Sequence, residues 1–258
     1  MKDQYAGDVN DFCKYALLRR LSRDLTLTVC WMRTPDDQRS DGARIAYLAR
    51  PEVWREFDAP LFDGLRHLVR RGRRSVCAIE RARILEGARF HSALLPTALA
   101  ERARYFARLE ARAAGSDLLF FDPDNGLEIR SCPRGRRGSE RYLYWDELAR
   151  AYGRGCSVLV YQHFPRVDRR AYVRRMDGEI RDRVGAPRVF ALATARVVFF
   201  LIPQRRHLRA CGRRALAFAR EWRDGVYCSV VAPRVAVESG APAVESAAAL
   251  VAEVESDG

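Results

Sequence analysis

Hydrophobic residues along the chain follow two spacings, one typical of helices and one typical of buried strands. Apolar positions three and four apart predict helices at residues 8–22, 43–49, 60–71, 97–114, 145–152, 168–184 and 204–222. Short runs that are apolar on both faces predict strands at residues 25–32, 75–79, 117–121, 157–161, 188–192, 197–202 and 226–231. The segment between the first strand and the second helix, residues 34–42, is polar and predicts a loop.

The order of these elements indicates the fold class. Strands buried on both faces that alternate with helices predict an α/β fold, a Rossmann-like and mainly parallel sheet with helices on both faces and a C-terminal antiparallel hairpin. We expect residues 1–232 to form one such domain and residues 233–258 to be a flexible acidic tail. Ligands of open α/β sheets bind beyond the carboxyl ends of strands. The loops after Met32, Ile79, Phe121 and Tyr161 are therefore where a site is expected.

The charge of the chain points to a class of partner. Its 258 residues include 46 basic and 33 acidic side chains, a net charge of +13, and only Lys2 and Lys14 among the basic residues are lysine. A positive field of this size attracts polyanions, so nucleic acid, with RNA favoured, is the expected partner. A genome of biased base composition would produce the same excess of arginine.

Other features of the composition narrow the class further. No apolar run approaches the roughly 20 residues that a membrane span needs, and the N-terminal segment is polar and acidic. Seven cysteines without a CxxC pair favour neither a disulfide framework nor a zinc site. These features predict a soluble, reduced, cytoplasmic protein without a membrane partner.

The sharpest candidate for chemistry is residues 120–128, with the sequence FFDPDNGLE. An apolar strand ends here, and three carboxylates follow within seven residues, those of Asp122, Asp124 and Glu128. Burying carboxylates at a strand end costs free energy unless each has a donor, a cation or a metal as partner. We therefore predict Asp122 and Asp124 to be catalytic, against the simpler interpretation of an Asx turn. The Gly- and Arg-rich residues 133–138 fit either a phosphate-gripping lid or a solvated loop.

A second candidate is residues 5–15, with the sequence YAGDVNDFCKY. Gly7 opens a turn into a helix N-terminus, which attracts anions through free N–H groups. Asp11 and Lys14 lie three residues apart and share a helix face. A lysine kept in a chain that otherwise uses arginine indicates a need for a compact ammonium group. The alternative is a capped amphipathic helix with a surface ion pair.

Two more strand ends carry weaker signals. Glu80 follows the predicted strand 75–79, where an acidic residue commonly holds a ribose through its hydroxyls. His163 follows the predicted strand 157–161 within YQHFP, and we expect it to line a cleft and belong to the catalytic set. The loop at residues 34–42 contains a single glycine, so no GxGxxG fingerprint is present, and no GxSxG nucleophile is present either.

These motifs together resemble the ribosomal RNA adenine-N6 methyltransferases of the large-subunit type. Gly7, Asp11 and Lys14 stand where that family has its opening G-N-x-x-D-x-x-K, and residues 122–125 stand where it has D-P-P-Y, which grips the adenine amino group. The motifs YAGDVNDF, DPDNGLE and YQHFP are also similar to those of a bacterial protein family from which no activity follows.

The resemblance implies a methyltransferase that uses S-adenosylmethionine and acts on nucleic acid. It implies that Asp122 meets the substrate nitrogen. It implies a cofactor site made by Gly7, Asp11, Lys14, Tyr15 and Glu80. Residues 36–39, DDQR, replace the family's glycine-rich cofactor loop, and Asp124-Asn125 replaces its proline and tyrosine. Phe164 or Tyr161 would then provide the aromatic ring on which a flipped base stacks.

The residues themselves also fit two other functions. One is a Mg²⁺-dependent nuclease or phosphohydrolase, in which Lys14 and the arginines of residues 134–137 would stabilise phosphoryl charge. Its metal ligands would be Asp8, Asp11, Asp36, Asp122 and Asp124. The other is a non-catalytic domain that binds RNA through its arginines alone.

Overall fold

The structure, a computed structural model, describes residues 1–36 and 44–222 and the backbone of residues 229–231. Eight α-helices lie in these residues: α1 Val9–Leu21, α2 Pro51–Trp54, α3 Ala59–Arg70, α4 Val76–Arg81, α5 Leu99–Arg112, α6 Trp145–Gly153, α7 Arg169–Val184 and α8 Leu208–Glu221. Nine strands lie in them: β1 Leu27–Cys30, β2 Arg89–His91, β3 Leu118–Phe121, β4 Gly126–Leu127, β5 Tyr142–Leu143, β6 Ser157–His163, β7 Phe190–Ala193, β8 Val197–Ile202 and β9 Ser229–Val231.

Seven of the strands form one sheet in the order β2-β1-β3-β6-β8-β7-β9. Strands β2, β1, β3 and β6 are mutually parallel, and the register sets Cys30 beside Phe121 and Phe121 beside Val160. Strand β8 is antiparallel to both β6 and β7, and β9 is antiparallel to β7. The predicted antiparallel hairpin is therefore confirmed. Its second strand, β8, lies inside the sheet because every residue of β8 is apolar and buried.

Helices cover both faces of the sheet. Successive side chains of each strand point to opposite faces, and those of the buried strands are apolar, so both faces need a hydrophobic cover. Phe120 packs in one hydrophobic layer, with α1, α3, α4 and α8, and Phe121 packs in the other, with α5, α6 and α7. The Rossmann-like α/β fold predicted from the sequence is confirmed. No helix of the described residues is both long and apolar enough to span a bilayer.

The strand order fixes where a ligand is expected. The chain passes from β1 to β2 on one side of β1 and then returns to β3 on the other side. Such a reversal opens a crevice at the carboxyl ends of the two central strands, here β1 and β3. Strand β3 ends directly before Asp122.

Two sequence predictions at the sheet were wrong. Residues 75–79 are not a strand: Ser75 caps α4 by accepting a hydrogen bond from the Ala78 N–H, and only Val76 and Ile79, three residues apart, are buried. The strand beside β1 is instead β2, a short polar segment that the pattern of apolar residues does not reveal. The proposed tail, residues 233–258, lies outside the described residues, as does most of the predicted loop 34–42.

Candidate functional site

A cleft of about 1210 Å³ lies beyond the carboxyl ends of β3 and β6. Four carboxylates lie on its inner wall, those of Asp8, Asp11, Asp122 and Asp124. Five arginines line it further out, namely Arg44, Arg141, Arg166, Arg169 and Arg196. None of these five guanidinium groups pairs with a carboxylate of the described residues. The cleft is thus acidic inside and basic at its rim.

Lys14 joins the opening helix to the end of β3. Its Nζ lies 2.7 Å from Asp11 Oδ1 and 2.7 Å from Asp122 Oδ2, and each of the three residues is 2% exposed. Burial alone would lower the pKa of Lys14, but the two carboxylates outweigh burial and raise it. Burial raises the pKa of Asp122, and the Lys14 ammonium opposes that rise. The predicted surface ion pair between Asp11 and Lys14 is therefore buried and holds a third group, Asp122.

Aromatic rings and backbone groups fix this buried cluster. The Lys14 ammonium lies 5.1 Å from the Tyr15 ring centroid and 5.6 Å from the centroids of Trp31 and Tyr161. The Tyr15 hydroxyl and the Gly7 N–H both donate to Asp11 Oδ2, at 2.9 and 3.0 Å. Gly7 and Tyr15, predicted to bind a cofactor, thus support Asp11 from behind and do not line the cleft.

Gly7 is required by its surroundings. Its φ of +81° lies in the left-handed region, and a Cβ atom there would come within 2.8 Å of Val69.

Asp8 completes the acidic inner wall. It caps α1 by accepting a 2.9 Å hydrogen bond from the Asp11 N–H, and it is 3% exposed. Burial, together with the neighbouring Asp11 carboxylate, raises the pKa of Asp8 to about 7.

Asp124 is held by the N-terminal residues, a contact that sequence reasoning missed. The Met1 ammonium lies 2.7 Å from Asp124 Oδ1 and also donates to the carbonyl oxygens of Asp122 at 3.0 Å and Met32 at 3.2 Å. The Thr34 hydroxyl donates to Asp124 Oδ2 at 2.5 Å. Burial opposes ionisation of Asp124, but the ammonium and the hydroxyl outweigh it and lower the pKa. No local pattern signals a contact between residues so far apart in the chain.

His163 lies in the cleft, as predicted, but at the last position of β6 rather than in a following loop. Its side chain is exposed, and its Nε2 lies 3.2 Å from the Tyr161 hydroxyl. Although His163 is exposed at the surface of the cleft, the cleft walls remove part of its hydration and lower its pKa. The Asp124 carboxylate opposes this shift, and the positive charge of Arg44 adds to it. The imidazole is therefore mainly neutral near pH 7.

Gln162 fixes the turn that follows β3. Its Oε1 accepts from the Leu127 N–H at 2.7 Å, and its Nε2 donates to the carbonyl oxygens of Asn125 at 3.1 Å and His163 at 2.7 Å. Gly126 lies against this amide with φ +119°, where a Cβ atom would be 2.1 Å from Gln162 Oε1. The sequence YQHFP contains this residue, but only the structure reveals its role.

Glu80 does not lie at a strand end, as the sequence predicted, because it belongs to α4. Its carboxylate still reaches the residues that follow β1 and β2. Oε1 accepts from Trp31 Nε1 at 2.7 Å and from the Ser92 hydroxyl at 2.5 Å. Glu80 is not among the residues that line the cleft.

Of the two interpretations of residues 133–138, the structure favours the loop over the phosphate-gripping lid. Arg134 pairs with Asp146 and stacks on Tyr144, and none of the arginines of residues 133–138 lines the cleft. The buried Arg102 anchors this segment, since it pairs with Glu147 at 2.6 Å and donates to backbone carbonyls on either side of residue 140. Glu128 is likewise structural, because it accepts from the N–H that begins α6.

The set of metal ligands predicted for a nuclease is only partly brought together. Asp36 is exposed and does not line the cleft, and the Lys14 ammonium lies between Asp11 and Asp122. Among the residues that the structure describes, no three His, Cys, Asp or Glu side chains form a group that could hold a metal ion.

At the switch point of the sheet, the cleft thus combines a buried acid–lysine cluster, a neutral histidine and arginines that have no carboxylate partner among the described residues. No protein-family model matches the chain, and no curated protein is found to be similar to it.

Proposed function

We propose that this protein is a methyltransferase that uses S-adenosylmethionine and modifies an amino group of nucleic acid, with RNA favoured. The observation that carries the proposal is the position of Asp122. Its carboxylate is buried at the end of β3, beside the strand-order reversal, and it lines a cleft whose rim is basic. An aspartate at that position can accept a hydrogen bond from an amino group presented by a bound base.

The acidic inner wall of the cleft fits the two cationic groups of S-adenosylmethionine, its ammonium and its sulfonium. The carbonyl oxygens of Met32 and Asp122 and the carboxylate of Asp124 already surround one ammonium, that of Met1. The ammonium of the cofactor would meet the same oxygens after replacing Met1. Asp11 and Asp122 supply further negative charge on the same wall.

The chain's own residues would mainly orient the acceptor. S-adenosylmethionine supplies an electrophilic methyl group, and holding the amine beside it accounts for most of the rate acceleration. The Lys14 ammonium, 2.7 Å from Asp122 Oδ2, opposes the neutralisation of the buried Asp122. The neutral imidazole of His163 can take up the proton that the amine loses.

The rim of the cleft supports a nucleic acid as substrate. Arginine binds phosphate oxygens in a bidentate manner, and the five rim arginines are free of acidic partners in the described part of the chain. A reducing, cytoplasmic setting is part of the proposal; among the six cysteines that the structure describes, no two form a disulfide bond.

The first test is the effect of S-adenosylmethionine on stability and the transfer of a labelled methyl group to bulk cellular RNA. A hundred-fold excess of cofactor over its Kd should raise the free energy of unfolding by about 2.7 kcal/mol. Asp122→Asn should lower the transfer rate at least about 100-fold, because the acceptor loses its orientation.

Asp117→Asn is the matched control. Asp117 precedes β3 at its other end, where it accepts from the N–H and the hydroxyl of Thr26, far from the cleft. This variant should bind cofactor and transfer the methyl group as the wild type does. Stabilisation by Mg²⁺ but not by S-adenosylmethionine would instead support the nuclease. RNA binding without any transfer, unchanged in Asp122→Asn, would support a non-catalytic domain.

A further inference from the structure

The arginines of α7 fall into two electrostatic groups. Further along the helix, Arg175 pairs with Glu179 and Arg181 pairs with Asp177, each one turn away, and the Arg183 guanidinium lies 5.1 Å from the centroid of the Trp145 ring. Arg170 and Arg174, in its first two turns, are exposed and form no ion pair with any described residue. Uncompensated positive charge is therefore concentrated at the start of the helix.

This charge is continuous with the rim of the cleft. Two arginines at the entry to α7 line the cleft: Arg169 is the first residue of the helix, and Arg166 precedes it by three residues. The Arg169 guanidinium lies 5.5 Å from the centroid of the Phe164 ring, which also lines the cleft. Arg170 and Arg174 are four residues apart and so share one face of the helix. The single acid in this stretch, Asp168, is engaged as the cap of α7.

We infer that a single-stranded RNA whose target base lies in the cleft continues over the first two turns of α7, with its phosphates on Arg170 and Arg174. This inference rests on the proposed function and adds the direction in which the polymer leaves the site. Single strands bind along tracks of positive charge with planar groups for the bases. The first turns of α7 supply the charge, and Phe164, beside Arg169, supplies a planar group. Arg175 and Arg181 are outside the track, since Glu179 and Asp177 already compensate their charge.

The test is the affinity of a fluorescently labelled single-stranded RNA of about 12 nucleotides, measured by anisotropy over a range of salt concentrations. Each lost phosphate contact should reduce the slope of log K against log salt by about 0.7. The double variant Arg170→Gln/Arg174→Gln should therefore lose about 1.4 from the slope and bind about ten-fold more weakly at about 0.1 M salt. Its affinity for adenosine monophosphate should not change.

The control is Arg175→Gln/Arg181→Gln, which removes the same charge from the same helix. It should retain the wild-type slope. If both double variants lost the same amount of slope, RNA would bind to the arginines of the surface without preference for a path, and the inference would be wrong. An unchanged slope in Arg170→Gln/Arg174→Gln would also overturn it. Binding does not depend on transfer, so a protein that shows the expected slopes but transfers no methyl group would refute the enzymatic proposal alone.

Discussion

At the scale of single residues, the buried carboxylates on the inner wall of the cleft outnumber the ammonium groups that contact them. One ammonium, that of Lys14, lies among the buried carboxylates of Asp8, Asp11 and Asp122. It contacts Asp11 and Asp122 directly, so these two gain most from it. Asp8 lies near them without such a contact, and burial together with the neighbouring Asp11 carboxylate raises the pKa of Asp8 to about 7.

The free energy of unfolding of the Asp8→Asn variant, relative to that of the wild type, should therefore increase as the pH rises. The pKa of Asp8 is about 7 in the folded state, against its usual 3.8. The contribution of Asp8 to the free energy of unfolding is therefore fully present below pH 3.8 and is lost as the pH rises through 7. Asparagine stays neutral and is an equally good helix cap. Relative to wild type, the variant should gain about 2 kcal/mol in free energy of unfolding between about pH 5 and pH 8. Urea denaturation at the two pH values measures this gain.

A matched variant separates the charge from the cap. Asp168→Asn changes the aspartate that caps α7, which is exposed to water. Its difference from wild type should be small and equal at both pH values. If Asp8→Asn behaved in the same way, the buried cluster would not hold the unfavourable charge described here.

At the scale of elements, the site depends on how the turn after β3 is attached to β6. Gln162 bonds to the backbone at Asn125 and Leu127, on both sides of Gly126. A side chain at Gly126 would displace this amide. The turn that carries Asp122 and Asp124 is therefore positioned by the neighbouring strand and not by its own sequence alone.

Gly126→Ala should destabilise the protein by about 2 kcal/mol or more, because φ is +119° and the new Cβ would overlap Gln162. Gly178→Ala is the control of opposite sign. Gly178 lies within α7 with nothing within 4 Å of its Cβ position, so alanine should stabilise by about 0.5–1 kcal/mol. Chemical denaturation of both variants checks the pair. If Gly126→Ala left the free energy of unfolding unchanged, the turn would be able to adapt to the new side chain without strain.

Elements were predictable from the sequence where their apolar pattern is long or fully buried. Strand β3 and its terminal Asp122 were predicted because four consecutive apolar residues precede an aspartate. Residues 75–79 were misread because a short apolar run fits a strand and a helix turn equally well. Glu80 was consequently placed at a strand end, whereas it reaches Trp31 and Ser92 from a helix.

At the scale of the whole molecule, the gathering of Asp11, Lys14, Asp122 and His163 in one cleft was predictable. Asp122 and His163 lie at the ends of the neighbouring parallel strands β3 and β6, which share one edge of the sheet, and the family resemblance added Asp11 and Lys14 to the same site. The contact of Met1 with Asp124 was not predictable, since it depends on how the first residues cross that edge.

The distribution of charge along the chain leads to the last prediction. Residues 1–234 carry 46 basic and 28 acidic side chains, a net charge of +18, and residues 235–258 carry five acidic side chains and no basic one. Deleting residues 235–258 should tighten RNA binding at low salt, because these carboxylates no longer compete with phosphates for the arginines. The gain should vanish near 1 M salt, where charges are screened within about 3 Å. A full-length chain with the five acids replaced by Gln or Asn should show the same gain. A gain from deletion that persists at all salt concentrations, and is absent from the neutralised chain, would point to steric obstruction and contradict the electrostatic explanation.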